Sequence, residues 1–282
     1  MILKQLNCCG GAHVMRWATP GLALIALSVT GCTSQSVNPS FSTQISVARN
    51  DLGRMESQPR HLHRPLVVVG GFLDPGFASG WLRHEFSSLT NDERIISVAL
   101  GDCVTLDDCG DKIVEATERA FHSDSKSQTR EVDVIGYSLG GLASRYAASP
   151  VANRKRLTIA RLFAISAPLQ GALLAKDLPP LHPIQADLRP GSDVLATLDA
   201  KSPAYAIYPY VCLGDHVVGE SNAGLRGQVA WWVPHAPLAD PHDGAFYDPR
   251  IVADIARRLR DEPPLATDPP AGLPTASGDR SR

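Results

Sequence analysis

The segment Val132-Asp133-Val134-Ile135-Gly136-Tyr137-Ser138-Leu139-Gly140-Gly141 constrains this chain more than any other. A β-branched apolar run passes without a spacer into a G-x-S-x-G pattern, and Leu142-Ala143-Ser144-Arg145-Tyr146-Ala147 then continues as helix-forming sequence. A strand that enters a helix through a single serine must make a strained turn. Positions two residues either side of that serine must be small, because strand and helix backbones crowd there. The glycine spacing alone arises easily by chance, and its bland reading is a glycine-rich turn with a solvated serine. Its setting between strand and helix gives it weight and predicts that Ser138 is lifted clear of a sheet.

The surrounding pattern supplies such a sheet. Short β-rich apolar runs occur at Leu66–Val69, Ile95–Leu100, Val132–Ile135, Ile159–Ile165, Tyr208–Leu213 and Val229–Val233. Helical stretches fall around Trp81–Leu89, Lys112–Phe121 and Leu139–Ala148. A last helix should start at Asp248 as cap and Pro249 in its first turn, with Ile251, Val252, Ile255 and Leu259 as one apolar stripe. Strands alternating with helices predict an α/β fold, a mostly parallel sheet covered on both faces, with reacting groups at the carboxyl ends of the strands. The core domain is expected over 63–260. Residues 32–62, rich in Ser, Asn and Gln, are expected to be an irregular tether. Residues 261–282, with Pro263, Pro264, Pro269, Pro270 and Pro274, are expected to be a disordered tail.

A serine hydroxyl needs a histidine base, itself oriented by a carboxylate. Asp215 follows the apolar run Tyr210–Leu213 and the turn residue Gly214, which suits the acid; Asp193 follows no strand and is the weaker rival. His242 and His235 both lie after the last apolar run and before the last helix. His242, on a loop made pliable by Gly244, is the favoured base, with His235 as the alternative. His216, next to Asp215, reads as a rim residue. Two backbone amides are needed to stabilise an oxyanion: Leu139, directly after the serine, and Phe72, in the loop Gly70-Gly71-Phe72-Leu73-Asp74-Pro75-Gly76 after the first run. The chemistry implied is acyl transfer to water and calls for no metal or cofactor.

These segments resemble those of bacterial lipase-like α/β hydrolases, the broad group that includes triacylglycerol lipases and inositol-deacylase-like proteins. The resemblance runs over about 65–260. It rests on Val69–Phe72, Gly136–Tyr146, Ser166–Gly171, Asp187–Leu195 and His242–Arg250. It implies an α/β-hydrolase fold and a serine esterase or lipase acting on acyl ester substrates, probed first with lipid-like esters. Two positions depart from the pattern: Gly70 stands where such lipases have His before the oxyanion glycine, and Leu169 stands where a His often precedes the following Gly. Thioesterase or acyltransferase chemistry on the same scaffold remains open, as does an inactive protein that binds lipid or a partner through the cleft. The long connection 168–206, with the proline-stiffened Leu178–Ile184, is either a cap over Ser138 or an excursion packed on the sheet.

The N-terminus reads as an export signal. Lys4 and Arg16 precede the apolar run Leu22–Val29, too short to span a bilayer, and Val29-Thr30-Gly31-Cys32 resembles the lipobox of bacterial lipoproteins. Residues 1–31 would then be removed, with Met1 or Met15 as the start, and Cys32 would carry the lipid that anchors the chain to a membrane. Thr33 rather than Asp after it points, by resemblance to enterobacterial sorting, to the outer membrane; a periplasmic or secreted protein with an ordinary signal is the alternative. Cys103 and Cys109 are spaced to close a small disulfide loop after export, or else are two buried thiols. With 27 basic against 29 acidic residues in 282, no basic stripe suggests nucleic acid as a partner. The six cysteines match neither a zinc spacing nor a disulfide scaffold.

Overall fold

The computed structural model describes residues 40–150, 155–177, 179, 181–236 and 238–274. In chain order the elements are α1 (Ile45–Ser57), β1 (Leu66–Val69), α2 (Phe77–Thr90), β2 (Ile95–Val98), α3 (Leu106–Ala120), β3 (Gln128–Tyr137), α4 (Leu139–Ala147) and β4 (Arg156–Ile165). Then follow α5 (Leu173–Asp177), α6 (Ile184–Asp187), α7 (Asp193–Asp199), β5 (Ala206–Cys212), β6 (Trp231–Val233), α8 (Pro241–Tyr247) and α9 (Pro249–Leu259). The strands form one six-stranded sheet in the order β2-β1-β3-β4-β5-β6, every pairing parallel. The chain starts in β1, crosses to the edge at β2, and returns past β1 to build the rest. The connections therefore diverge between β1 and β3, and a crevice must open there at the carboxyl ends.

Alternation along the strands sends side chains into two separate cores. Val67, Val69, Val132 and Val134 pack under α3, α4 and α7, with Ile113, Leu142 and Leu195. Leu66, Val68 and Ile135 pack on the other face under α1, α2, α8 and α9, with Met55, Phe86, Phe246 and Ile255. Strands β3 and β4 are longer than their apolar runs because their polar amino halves still pair through the backbone. Asp133, fully buried in β3, is tolerated because Arg161 meets it with two hydrogen bonds, at 2.9 and 2.6 Å. The last helix begins as its sequence predicts: the Asp248 side chain accepts from the Arg250 amide, with Pro249 in the first turn.

Two expectations are corrected, and between two readings of a cysteine pair one is found. The tether expected over 32–62 contains α1, which the local sequence does not announce because no side chain caps it. Tertiary contacts hold it instead: Arg257 and Arg54 reach Asp51 and Glu262, and the buried Arg260 guanidinium donates to the carbonyls of Gln58 at 3.0 Å and Leu89 at 2.8 Å. The tail is docked as far as residue 274. Asp254 accepts from the amides of Leu265 and Ala266, and the indoles of Trp231 and Trp232 donate to Thr267 and Ala271 carbonyls. Prolines leave this segment few amides of its own to satisfy, so a handful of bonds suffices. Lastly, Cys103 and Cys109 are free buried thiols with no disulfide between them; burial raises both above the ordinary thiol value. No described helix is long and apolar enough to cross a membrane. The signal segment 1–31, Cys32 and residues 275–282 lie outside the described residues.

Asp254 is the knot between sheet, last helix and tail, since Tyr210 and Arg258 also donate to it, at 2.7 and 2.8 Å. Asp254→Ala leaves a buried hydroxyl and a largely buried guanidinium unpaired, so we expect a loss of about 3–5 kcal/mol in urea unfolding. New proteolytic cleavage between 262 and 274 should accompany it. An unchanged midpoint would show that the tail is held elsewhere.

Candidate active site

The turn after β3 has the strain its sequence predicts. Ser138 adopts φ 52° and ψ −125°, outside the region that L-residues favour, at a cost on the order of 1–3 kcal/mol. Its amide is anchored to the Ile165 carbonyl of β4 at 2.8 Å. The glycines around it are sterically obligatory. A Cβ on Gly136 would lie 2.5 Å from Gly141 Cα, and one on Gly140 would lie 2.4 Å from the Val69 carbonyl oxygen. Helix α4 therefore presses directly on the carboxyl ends of β1 and β3, with Ser138 half-buried at the crevice between them.

Asp215 and His242 come to this serine from the later strands. After β5, Gly214 turns the chain at φ 86°, and Asp215 folds inward to accept from the amides of Val217 and Val218, both at 3.0 Å. Its other oxygen lies 2.9 Å from His242 Nδ1, and His242 Nε2 lies 3.0 Å from Ser138 Oγ. Histidine 242 sits in the first turn of α8 rather than on a loop, a correction to the sequence reading. The Asp240 carboxylate caps that turn by accepting the His242 amide at 2.7 Å, and Ser166 Oγ, after β4, donates to the His242 carbonyl at 3.3 Å. The imidazole is thus fixed through its ring and through both ends of its peptide. Such a chain of contacts can pass a proton from the serine to a histidine whose other nitrogen is held by a carboxylate.

The remaining expected residues fall into two groups. Leu139 opens α4, where the first amides have no intrahelical acceptor and point out of the helix end. Phe72 lies beside it in the loop after β1, which crosses the serine so closely that a Cβ on Gly71 would be 3.2 Å from Ser138 Cβ. Both amides are therefore at the serine's edge of the crevice. By contrast, His235 is exposed against Gly214 and bonds neither Ser138 nor Asp215, which leaves His242 as the sole imidazole of the pair at the serine. His216 is exposed at the rim, and Asp193 lies in α7, away from His242.

Several supporting residues were not anticipated. Asp74 accepts from the amides of Gly76, Phe77, Ala78 and Ser79, and so locks the loop that carries Phe72 onto the start of α2. A Cβ on Gly70 would lie 2.2 Å from its Oδ2, so a side chain at this position would displace the carboxylate that holds the loop. Tyr137, the residue before the serine, donates its hydroxyl to Asp243, and its ring packs 5.5 Å from His242 and 4.6 Å from Phe246. Burial, and then the contact with Asp243, push the phenol well above its ordinary value and keep it a donor. The Asp240-Pro241 pair was a readable helix start; the Tyr137 contact had no signal, since it joins residues 106 apart. Connection 168–206 mostly packs on the sheet, burying Ile184, Leu188, Leu195 and Leu198. At its corner His182 meets Phe72 edge-on at 5.3 Å, while Leu181 is exposed.

Burial pushes the Asp215 carboxyl up, but the hydrogen bond and charge of His242, with the Val217 and Val218 amides, outweigh it and hold it below the ordinary carboxylate value. A depressed carboxylate stabilises the fold above its unfolded value, about 3.9, and that stability is lost as pH falls through the lower folded value. We therefore expect Asp215→Asn to be less stable than wild type at about pH 5, with the margin closing as pH falls below about 4. Parallel curves at all pH values would show that the carboxylate is not held this way.

No protein-family model matches the chain, and no curated protein sequence does. Among solved structures it is similar to lipase B of Aspergillus fumigatus, with a TM-score of 0.52 and 16% identity over 89% of this chain and 64% of that one. The chain thus spans a little under two thirds of that lipase. It also matches phospholipase PlaB of Legionella pneumophila, with a TM-score of 0.47 and 13% identity over 69% of this chain and 59% of that one. The product of the lin2722 gene of Listeria innocua gives 0.45 and 16%, over 73% and 96%. The parallel sheet with its two helical layers is an α/β-hydrolase fold. At these identities the likeness is one of fold.

Proposed function

We propose that this chain is a serine hydrolase that cleaves carboxylic esters with apolar acyl groups. The observation that carries this reading is the continuous line from Ser138 Oγ to His242 at 3.0 Å and on to Asp215 at 2.9 Å. Ser138 attacks the ester carbonyl as His242 Nε2 takes its proton. Asp215 steadies the imidazolium that results, and the amides of Phe72 and Leu139 receive the oxyanion. His242 then returns the proton to the leaving alkoxide, and water repeats the sequence on the acyl-enzyme. An apolar substrate is favoured by exposed Leu73, Phe77, Leu181 and Leu238, all on segments after the carboxyl ends of strands or in the 168–206 connection. The same reading includes attachment to a membrane through lipid on Cys32 in an exported protein; palmitate labelling that survives Cys32→Ala would dismiss that part.

Ser138→Ala should leave circular dichroism unchanged and lower hydrolysis of p-nitrophenyl esters by about 10³-fold or more, with labelling by a fluorophosphonate abolished. Thioesters run in parallel separate ester from thioester preference. Near-wild-type turnover in Ser138→Ala, or labelling that persists, would place the nucleophile elsewhere.

Tyr137→Phe removes the tie between the elbow and α8 without emptying the core. Its expected signature is a fall in kcat of about tenfold with KM nearly unchanged, because the loss of one charge-assisted contact loosens the base rather than the substrate. A change confined to KM would assign Tyr137 to substrate binding instead.

A further inference from the structure

A second cavity lies apart from the crevice at Ser138. It has a volume of about 820 Å³ and opens between the end of α4, the start of β4, α7 and the turn that leads into β5. Strand β3 runs from Gln128, in the wall of this cavity, to Tyr137, beside the serine. Ten residues of strand at about 3.3 Å each put this far wall roughly 30 Å from the serine, while the near wall, at Arg145 and Tyr146, lies about 10–12 Å along α4. The lining includes none of Ser138, Asp215, His242 or the loop after β1, so the cavity is no part of the crevice between β1 and β3.

Its walls carry an apolar stretch, Ala148, Leu157, Ile159, Val194, Leu198 and Tyr205, among polar residues that include Gln128, Ser149, Thr158 and Thr197. Protein interiors are packed to crystal density, and a space of this size with such walls matches the roughly 300–1,000 Å³ range of small-molecule sites. The charges around it are unbalanced. Arg145 is occupied, bonded to Asp199 and the Leu198 carbonyl, both at 2.8 Å. Arg156, half-buried, and Lys201, exposed, line the same cavity, and neither forms an ion pair among the described residues. On the far side of the 200–203 turn a smaller hollow of about 410 Å³ shares Arg145 and Lys201 and adds Arg226. Among the described residues the one acid that lines the larger cavity is Asp193, exposed in the first turn of α7. Two cations thus face the opening against a single exposed carboxylate.

We infer that this cavity is a binding site for a single-chain anionic amphiphile, with the hydrocarbon chain along Leu157, Ile159 and Leu198 and the anionic head between Arg156 and Lys201. An uncharged lipid would leave the cations without a partner, and a small polar anion would leave the apolar walls empty. Carboxylate and monoester-phosphate heads share this chemistry. The site does not depend on hydrolysis at Ser138, so its test can be kept apart from the function proposed above.

The full chain is first capped at Ser138 with a fluorophosphonate and then titrated with cis-parinaric acid below its micellar concentration, following its fluorescence. Saturable binding to the capped protein is expected. Lys201→Glu, at an exposed position that leaves the fold alone, should weaken it by about tenfold or more, the scale of one charge-assisted hydrogen bond. Ala204→Trp, which puts an indole into the cavity, should abolish it. Competition with oleate and with a lysophosphatidic acid then assigns the head group. Binding lost on capping would place the probe in the catalytic crevice and overturn the proposal. So would binding unaltered by both variants, equal binding of the methyl ester of the probe, or no binding at all.

Discussion

The close crossing of β3 by α4 at Ser138 is the constraint on which the rest depends. Helix and strand approach until a methyl group at Gly136 or Gly140 would overlap backbone atoms. That approach forces the positive φ at Ser138 and turns its hydroxyl toward the crevice left where the chain reverses between β1 and β3. Sheet order decides where a crevice opens, while local sterics decide which side chain stands in it. Neither alone would set Ser138 in that crevice.

Around that point the polar groups are arranged to remove freedom rather than to add charge. Asp74 gathers the amides at the head of α2, Asp240 those at the head of α8, and Asp215 those of the turn after β5. Each carboxylate spends at least one oxygen on backbone, and in doing so fixes a loop that carries a neighbour of the serine. The loop that carries Phe72, His242 and the turn at Asp215 are in this way positioned by the same device, a carboxylate closing a turn, used at the ends of different strands.

Much of this could be read from sequence because the information was local. The elbow declares itself through glycine spacing between a strand and a helix, and Asp215 through its place after an apolar run. In the sequence His242 is separable from His235 only by the length of loop left for it, and the structure seats it on a helix that starts at Asp240-Pro241. What escaped was non-local. Helix α1 carries no cap and is held by arginines from α9 and its C-terminal end, more than 200 residues away. The tail from Glu262 to Pro274 has the composition of a disordered segment, yet its few amides and carbonyls meet Asp254 and two indoles. Composition describes how much a segment can bury by itself; it says nothing of partners supplied by other elements. The cysteine pair shows the converse, since a spacing compatible with a bridge is equally compatible with two thiols packed in a core.

One detail at the edge of the domain bears on how the protein would carry mechanical load. The carbonyl of Ser40 accepts from both the amide and the hydroxyl of Thr267, at 2.9 and 3.3 Å, so the first and last described stretches are stitched side by side. Tension applied to the chain ahead of residue 40 meets this seam first, and next α1, braced against α9. The strands that lead to Ser138, Asp215 and His242 lie behind both. Pulling would peel the periphery while the carboxyl ends of the strands stayed at rest.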